Sequence, residues 1–316
     1  MKKKEKLLKL FKIYSSNLTF HAPELENKFV CPICFRIFSE DAIESKDLTI
    51  EHIIPSSLGG SLLTLTCKDC NSLGGTLLDS HLVNRLRTED LLAGKASSPL
   101  RGEFILGSER ITADIYLSTT ANPNIRIIGI PELSNPQKLQ KINDEFDSGV
   151  QSFQIAGKLG YKDLPSRVSI LKIAYLMAFS YFGYGYIKYP FLDFVRKQIM
   201  NSNEETEVLK GIVKLDFLPF EKSCLTVLEK PDNLQCFFVT LDLSTKVNRY
   251  VGVVLPGFNQ ENTGIYSQWK NTDYTNTALK SSSVKLVPYS EEFLLNEKYK
   301  YYAIEVWHII QNQSER

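Results

Sequence analysis

The spacing of apolar side chains near the start of the chain predicts an amphipathic helix. Leu7, Phe11 and Tyr14 recur at intervals of four and three residues, and lysines hold several of the positions around them. These intervals place the three side chains on one helical face, so residues 3–15 are predicted to be helical. The same periodicity predicts further helices at residues 76–93 and 136–148.

The most apolar part of the chain, residues 167–200, is predicted to be a pair of packed helices. Gly183, Gly185 and Pro190 interrupt it, and a single helix would break at such residues. Within it, the uncharged stretch Ile173–Ile187 has 15 residues. A membrane-spanning helix needs roughly 20. The stretch is therefore predicted to be a buried helix, and no contact with a membrane is expected.

Later segments alternate apolar and polar residues between turn signals, which is typical of strands. The predicted strands are ITADIYLS at 111–118, NIRIIGIP at 124–131, GIVKLDFL at 211–218, CLTVLE at 224–229, CFFVTLDL at 236–243 and YVGVVLPG at 250–257. Residues 297–311 fit either a strand or a helix. The chain as a whole is predicted to be α+β, with mainly antiparallel strands.

A polar stretch at residues 95–103 (KASSPLRGE) is predicted to be a domain boundary. A length of 316 residues suits two domains of about 150 residues each. Residues 1–94 would form the N-terminal domain. Residues 95–316 would form an accessory α+β domain for target recognition or regulation, through which a protein partner could also bind.

Composition narrows the class of protein. The chain is 43% hydrophobic and 23% charged, which is typical of globular proteins and excludes a disordered chain. Its net charge of +1 excludes a polybasic nucleic-acid binder, so contacts with nucleic acid would be local. The lysine-rich start lacks the apolar region and cleavage site of a secretion signal, and a cytoplasmic protein is predicted.

Cysteine spacing predicts a metal site. Four of the six cysteines form two Cys-x-x-Cys pairs, namely Cys31 with Cys34 and Cys67 with Cys70. Four thiolates at this spacing favour a tetrahedral, structural Zn²⁺ over buried or redox-active thiols. The metal would hold together a segment with little apolar core, because the free energy of binding becomes free energy of folding.

Polar residues between and beside the cysteine pairs suggest hydrolytic chemistry. Glu51 and His52 precede Ile53, and Asn71 directly follows Cys70. Hydrolysis of a phosphodiester needs a base that deprotonates water, and a neutral imidazole serves this purpose at pH 7. Carboxylate and amide oxygens are hard ligands that suit Mg²⁺ or Mn²⁺.

At these residues the sequence resembles the HNH (ββα-metal) endonuclease family. The resemblance runs from Cys31 to about Leu82, roughly one sixth of the chain. It rests on the two cysteine pairs, EHIIP at 51–55, a Gly-Gly turn at 59–60, LTCKDCN at 65–71 and LDSHL at 78–82. The resemblance implies a zinc-braced β-hairpin followed by a helix, which together hold one catalytic divalent ion.

The resemblance also implies roles for single residues. His52 would be the general base, and Glu51 and Asn71 would ligate Mg²⁺ or Mn²⁺, Glu51 standing where the family more often has aspartate. The family's middle asparagine is missing, since Ser61, Leu62, Leu63 and Thr64 stand at its place. Either Thr64 or Ser61 takes over its role of orienting the loop that carries the base, or activity is weak.

These observations leave three hypotheses. The first is a metal-dependent endonuclease that hydrolyses double-stranded DNA, with a role in restriction or phage defence. The second is a zinc module that has lost catalysis and binds nucleic acid or a protein, which the missing asparagine favours. The third, a redox protein that uses its Cys-x-x-Cys pairs, would show thiol-dependent activity and no bound zinc.

Overall fold

The fold is described by a computed structural model for residues 3–95, 99–118, 124–149, 152–156, 160–217, 223–258, 264–272 and 280–282. Contacts between Cα atoms divide the chain into two units. The first unit comprises Met1–Leu82, Asp163–Leu243 and Arg249–Arg316, and the second comprises Val83–Lys162 and Ser244–Asn248. The first unit thus continues beyond residue 94. A functional division at residues 94 and 95 stays a prediction.

Helices and antiparallel sheets alternate along the chain, which confirms the predicted α+β class. The helices are α1 (Lys3–His21), α2 (Lys68–Leu73), α3 (Ser80–Leu92), α4 (Pro136–Asp147), α5 (Asp163–Phe182), α6 (Tyr184–Ile187), α7 (Asp193–Met200) and α8 (Gly264–Asn271). The strands are β1 (Phe29–Val30), β2 (Ile37–Phe38), β3 (Leu48–His52), β4 (Leu63–Cys67), β5 (Leu100–Leu106), β6 (Glu109–Ser118), β7 (Asn124–Gly129), β8 (Gln154–Ala156), β9 (Ile212–Leu215), β10 (Cys224–Lys230), β11 (Cys236–Asp242), β12 (Tyr250–Leu255) and β13 (Lys280–Ser282).

The ββα element predicted near the N-terminus is present. Strands β3 and β4 form an antiparallel hairpin in which Glu51 lies opposite Thr64 and His52 lies opposite Leu63. Helix α2 follows β4 directly, and a π-helix at Gly74–Asp79 connects α2 to α3. The short β1–β2 hairpin carries the first cysteine pair between its strands.

Helix α5 is the centre of the first unit, and nearly all of its residues are buried. It packs on α1, where the rings of Tyr14 and Phe179 stack with centroids 4.4 Å apart. It also contacts the first cysteine segment, because the Tyr175 hydroxyl donates a hydrogen bond of 2.7 Å to the carbonyl oxygen of Pro32. The helix therefore supports the ββα element from the side.

Residues 167–200 are mainly helical as predicted, but they form three helices (α5, α6 and α7) and not a pair, with the first break at Gly183 between α5 and α6. Gly183 has φ +55°, which favours glycine, and a Cβ there would lie 2.2 Å from Asn17 Oδ1. Asn17 Oδ1 accepts a 2.8 Å hydrogen bond from the backbone N–H of Tyr184, the first residue of α6. A side chain at position 183 would block this contact between α1 and the start of α6.

The two larger sheets are antiparallel throughout. The first unit contains a five-stranded sheet in the order β13-β10-β11-β12-β9, and the second contains a four-stranded sheet in the order β7-β6-β5-β8. The prediction missed β5, because part of it was assigned to the linker 95–103. Strand β5 pairs with β6 across a two-residue turn that begins at Gly107, which has φ +54°.

The most apolar segment is a core helix and not a membrane span. Among the described residues, no helix combines the length and the apolar character needed to cross a bilayer. The ambiguous segment at 297–311 lies outside the described residues.

Candidate functional site

The four predicted zinc ligands converge on one point. Their sulfur atoms all lie within 4.8 Å of one another, and Cys34 Sγ is 3.7 Å from Cys67 Sγ. A tetrahedral zinc with Zn–S bonds of about 2.3 Å separates its sulfur ligands by about 3.8 Å. The donor set and its spacing therefore fit a structural Zn²⁺ held by Cys31, Cys34, Cys67 and Cys70, as predicted. None of the six cysteines forms a disulfide.

Arg36 lies beside this cluster and favours the thiolate form. Its guanidinium donates to Cys67 Sγ at 3.2 Å and to Cys34 Sγ at 3.4 Å, and it pairs with Asp69 at 2.7 Å. Hydrogen bonds within the cluster, the largest from Cys31, lower the pKa of Cys67 to about 6 and that of Cys34 well below its usual range. Burial raises the pKa of Cys31, and the hydrogen bond with Cys31 raises the pKa of Cys70, so two of the four thiols favour the thiolate and two do not. Deprotonated thiols are the form that binds zinc.

The end of β3 presents His52 to solvent. Side chains alternate between the two faces of a strand, and the residues directly opposite each other in a hairpin share a face. Glu51 and its partner Thr64 point inward and are buried, whereas His52 is exposed. The predicted base is thus accessible to a substrate, and the predicted carboxylate ligand is not.

The side chain of Asn71 on α2 is hydrogen-bonded to β3, next to Glu51 in sequence. Its amide nitrogen donates 2.9 Å hydrogen bonds to Thr49 Oγ1 and to the carbonyl oxygen of Ile50. Both acceptors lie within two positions of Glu51. Since the nitrogen is engaged in this way, the amide oxygen is the atom that Asn71 can offer to a metal ion.

Glu51 is engaged by a lysine from another part of the chain. Lys172 Nζ on α5 lies 2.7 Å from Glu51 Oε1 and 2.6 Å from Asp79 Oδ2. Ser169 completes the cluster by donating a 2.6 Å hydrogen bond to Asp79 Oδ1. Lys172 is 1% exposed and Glu51 is 4% exposed, so the ion pair is shielded from water.

Burial and neighbouring charges shift the pKa values of Glu51 and Lys172 in opposite directions. Burial raises the pKa of the Glu51 carboxyl, and the Lys172 ammonium opposes that shift. Burial alone would lower the pKa of Lys172, but the charges of Asp79 and Glu51 outweigh it and raise the pKa above its usual value. Lys172 is therefore a cation in the folded protein.

A catalytic divalent ion fits only part of this arrangement. Asn71 offers an amide oxygen, and His52 is exposed at the end of β3. Glu51 does not fit as a metal ligand here, because its carboxylate is buried and already neutralised by an ammonium group.

Ser61 and Thr64, the two residues that could replace the missing asparagine, differ in burial. Ser61 is exposed, whereas Thr64 is buried with its hydroxyl 2.7 Å from the hydroxyl of Tyr14 on α1. The Thr64 hydroxyl therefore links the hairpin to α1 by a hydrogen bond. Its role in orienting the loop that carries the base stays a prediction.

The Tyr14–Thr64 hydrogen bond is expected to contribute measurably to stability. Either Tyr14→Phe or Thr64→Val removes this buried hydrogen bond from one side, which costs about 1–3 kcal/mol of the free energy of unfolding. The double variant removes both hydroxyls, so its loss should be smaller than the sum of the single losses. Urea unfolding of the four proteins measures this, and strictly additive losses would contradict it.

Gly60 in the loop after β3 is expected to tolerate no side chain. A Cβ there would lie 1.9 Å from the carbonyl oxygen of Ile54, so Gly60→Ala should cost about 1–3 kcal/mol and displace the loop behind His52. Gly75→Ala is the matched control, since a Cβ at Gly75 would meet nothing within 4 Å. Thermal unfolding of the two variants should separate them, and equal midpoints would refute the expected clash.

Sequence reasoning missed the cluster around Lys172. Asp79 falls inside the LDSHL motif, but no spacing rule connects it with Lys172 or Ser169. Lys172 borders the apolar stretch of α5, where a lysine suggests the end of a buried segment. One signal was available: Lys172 belongs to a helix predicted to be packed, and a lysine in a packed helix needs a carboxylate partner.

One of the comparisons with known proteins found a match. No curated protein and no solved structure matches the chain significantly. Residues 31–87, less than one fifth of the chain, match the family model described as HNH endonuclease. This range contains the four cysteines together with Glu51, His52 and Asn71. Residues 31–87 are therefore similar to HNH endonucleases.

Proposed function

We propose that the protein is a metal-dependent endonuclease that hydrolyses phosphodiester bonds of double-stranded DNA. The observation that carries the proposal is an exposed His52 at the end of β3, in a hairpin and helix that also contain Asn71 and the four clustered cysteines. The match to the HNH family over residues 31–87 supports the reaction class.

His52 is the general base of this proposal. Its exposed imidazole can accept a proton from water at the end of β3, where a phosphodiester has access from solvent. Zinc takes no part in the reaction, since four cysteine ligands close its coordination shell. Its contribution is to hold β4 and α2 in place, and these elements carry Asn71 to β3.

Asn71 is proposed as a ligand of a divalent ion, Mg²⁺ or Mn²⁺, whereas Glu51, the other predicted ligand, is buried and paired with Lys172 in this arrangement. Such an ion, when bound, neutralises charge on the phosphate and on the leaving oxygen. Asn71 keeps its amide oxygen available by donating from its nitrogen to Thr49 and Ile50. Glu51 becomes available only if its ion pair with Lys172 opens.

The wider setting is also part of the proposal. We assign the protein to the cytoplasm and to restriction or phage defence, which the resemblance to the HNH family favours. Residues 95–316 would recognise the target, regulate cleavage or bind a protein partner.

A second candidate function is a zinc module that binds nucleic acid or a protein without cutting. The contact of Lys172 with Glu51 favours it, because a neutralised carboxylate no longer attracts a divalent ion. Under this alternative the HNH segment keeps its fold and its zinc, and loses its chemistry.

Duplex substrates distinguish the two candidates. The full-length, zinc-loaded protein would be incubated with labelled DNA and RNA duplexes of one sequence, with and without added Mn²⁺. Mn²⁺-dependent shortening of the DNA strands, with RNA left intact, supports the proposed nuclease. Binding that weakens steeply with salt and leaves both duplexes intact supports the binding module.

A further inference from the structure

The second cysteine pair is held by contacts within the matched segment 31–87. Cys67 and Cys70 lie at the junction of β4 and α2, where the backbone N–H of Cys70 donates to Cys67 Sγ at 3.5 Å. Between them, the backbone N–H of Lys68 donates a 2.7 Å hydrogen bond to the carbonyl oxygen of Asp47, the residue before β3. The hairpin and the helix of the segment therefore fix this half of the cluster.

The first cysteine pair lies in a turn, residues 31–35, whose approach is held by a tyrosine from far along the chain. Tyr184 on α6 is 154 positions from Val30, the residue before the turn. Its hydroxyl accepts a 3.0 Å hydrogen bond from the backbone N–H of Val30 and donates one of 2.6 Å to the carbonyl oxygen of the same residue. One hydroxyl thus satisfies both backbone polar groups of the residue that leads into Cys31.

Two further side chains contact the turn itself. The Tyr175 hydroxyl on α5 donates a 2.7 Å hydrogen bond to the carbonyl oxygen of Pro32, which lies between the two cysteines. The guanidinium of Arg196 on α7 lies 4.0 Å from the centre of the Phe35 ring, a cation–π contact. Phe35 closes the turn, because its backbone N–H donates to the carbonyl oxygen of Cys31 at 2.9 Å. The turn is therefore contacted before, within and after its cysteines.

We propose that Tyr175, Tyr184 and Arg196 are positioning residues of the zinc site, which hold the first cysteine pair in the geometry that binds the metal. All three lie outside the matched segment and are buried, with exposed fractions of 0%, 2% and 9%. Because coupling between two sites is reciprocal, bound zinc also stabilises the contact of α5–α7 with the turn. The inference goes beyond the proposed nuclease activity, since it depends only on zinc at the four cysteines.

The affinity for zinc tests this proposal directly. Tyr184→Phe removes the hydroxyl and leaves the N–H and the carbonyl oxygen of Val30 without this partner. We expect competition with a chelator to show a Kd for Zn²⁺ at least ~10-fold higher than that of the wild type, because both lost hydrogen bonds belong to the turn in its zinc-binding geometry. Tyr175→Phe loses one hydrogen bond and should raise the Kd by a smaller factor.

Tyr186→Phe is the matched control, because it makes the same change in the same helix. Tyr186 is 0% exposed, and its hydroxyl donates a 2.6 Å hydrogen bond to the carbonyl oxygen of Pro256 rather than to the cysteine turn. This variant should lose stability but keep the wild-type Kd for Zn²⁺. An unchanged Kd in a folded Tyr184→Phe overturns the proposal. An equal rise in Tyr186→Phe also overturns it, since zinc affinity would then follow overall stability.

Hydrogen exchange of the wild-type protein gives a second readout if Tyr184→Phe does not fold. Removing zinc with a chelator should raise amide exchange at the start of α6 as well as in residues 31–35, because Tyr184 then loses its partner. Exchange that rises in the turn alone overturns the proposal. Absence of DNA cleavage would refute the proposed function alone, since neither readout uses DNA.

Discussion

Replacing His52 with alanine should reduce Mn²⁺-dependent DNA cleavage by about 100-fold or more, which is the range contributed by a general base. His52 is exposed at the end of β3, so its loss removes no packing from the core. The free energy of unfolding and the zinc content should stay at the wild-type values. Initial rates on supercoiled plasmid, at equal zinc content, measure the effect.

His21→Ala is the control for this prediction, because His21 lies on α1 outside the matched segment. It should cut at close to the wild-type rate. If His52→Ala cuts as fast as the wild type, another group activates the water and the assignment of the base is wrong. If both variants lose activity together with zinc, the loss reflects folding and not catalysis.

Replacing Cys67 with serine should remove the zinc and unfold the HNH segment. Cys67 contributes one of the four clustered sulfur atoms, and the same atom accepts the backbone N–H of Cys70 at 3.5 Å in the first turn of α2. Structural zinc sites contribute roughly 10–16 kcal/mol of apparent binding free energy in small peptides. This is comparable with the whole stability of a domain, about 5–15 kcal/mol.

Metal analysis and circular dichroism of the purified variant measure this outcome. We expect zinc to fall from one ion per chain to none, with a loss of helical signal and of protection from proteolysis around α2. Cys224→Ser is the matched control, since Cys224 lies on β10 away from the cluster and should leave one zinc per chain. A folded Cys67→Ser protein without zinc would show that the metal does not hold the segment together.

The parts of the site that depend on local sequence could be predicted. The two Cys-x-x-Cys pairs have spacings that only a few structures use, and the structure gathers their sulfur atoms within 4.8 Å. The helical character of residues 167–200 and its breaks could also be predicted, because Gly183 and Pro190 interrupt a strong apolar pattern, although the segment forms three helices and not two. In both cases the signal lies within a few residues of the feature that it predicts.

The ion pair of Glu51 with Lys172 could not be predicted, because its partners lie 121 positions apart in sequence. Only the packing of α5 against the hairpin brings them together. The local sequence did predict one property of Glu51. Glu51 and His52 are neighbours on a strand, so their side chains point to opposite faces, one buried and the other exposed. That alternation separates the two predicted roles, since the base is exposed and the carboxylate is buried.

The start of strand β5 also could not be predicted from its local sequence. Residues 95–103 contain Ser, Pro and Gly, which is typical of a linker, yet Leu100–Leu106 forms a strand of the four-stranded sheet. Its inner positions, such as Phe104, pack with residues from β6 and α4 in the core of the second unit. Pairing with β6 across the Gly107 turn outweighs the weak strand signal at its start.

Plasmid cleavage by the purified protein is the direct test of metal-dependent DNA hydrolysis. The protein would be assayed on supercoiled DNA with Mg²⁺, with Mn²⁺ and without either ion, and its zinc content would be measured on the same preparation. We expect one zinc per chain, together with nicking or linearisation only in the presence of an added divalent ion. A chain that folds without zinc, or that cuts equally well without an added ion, would contradict it.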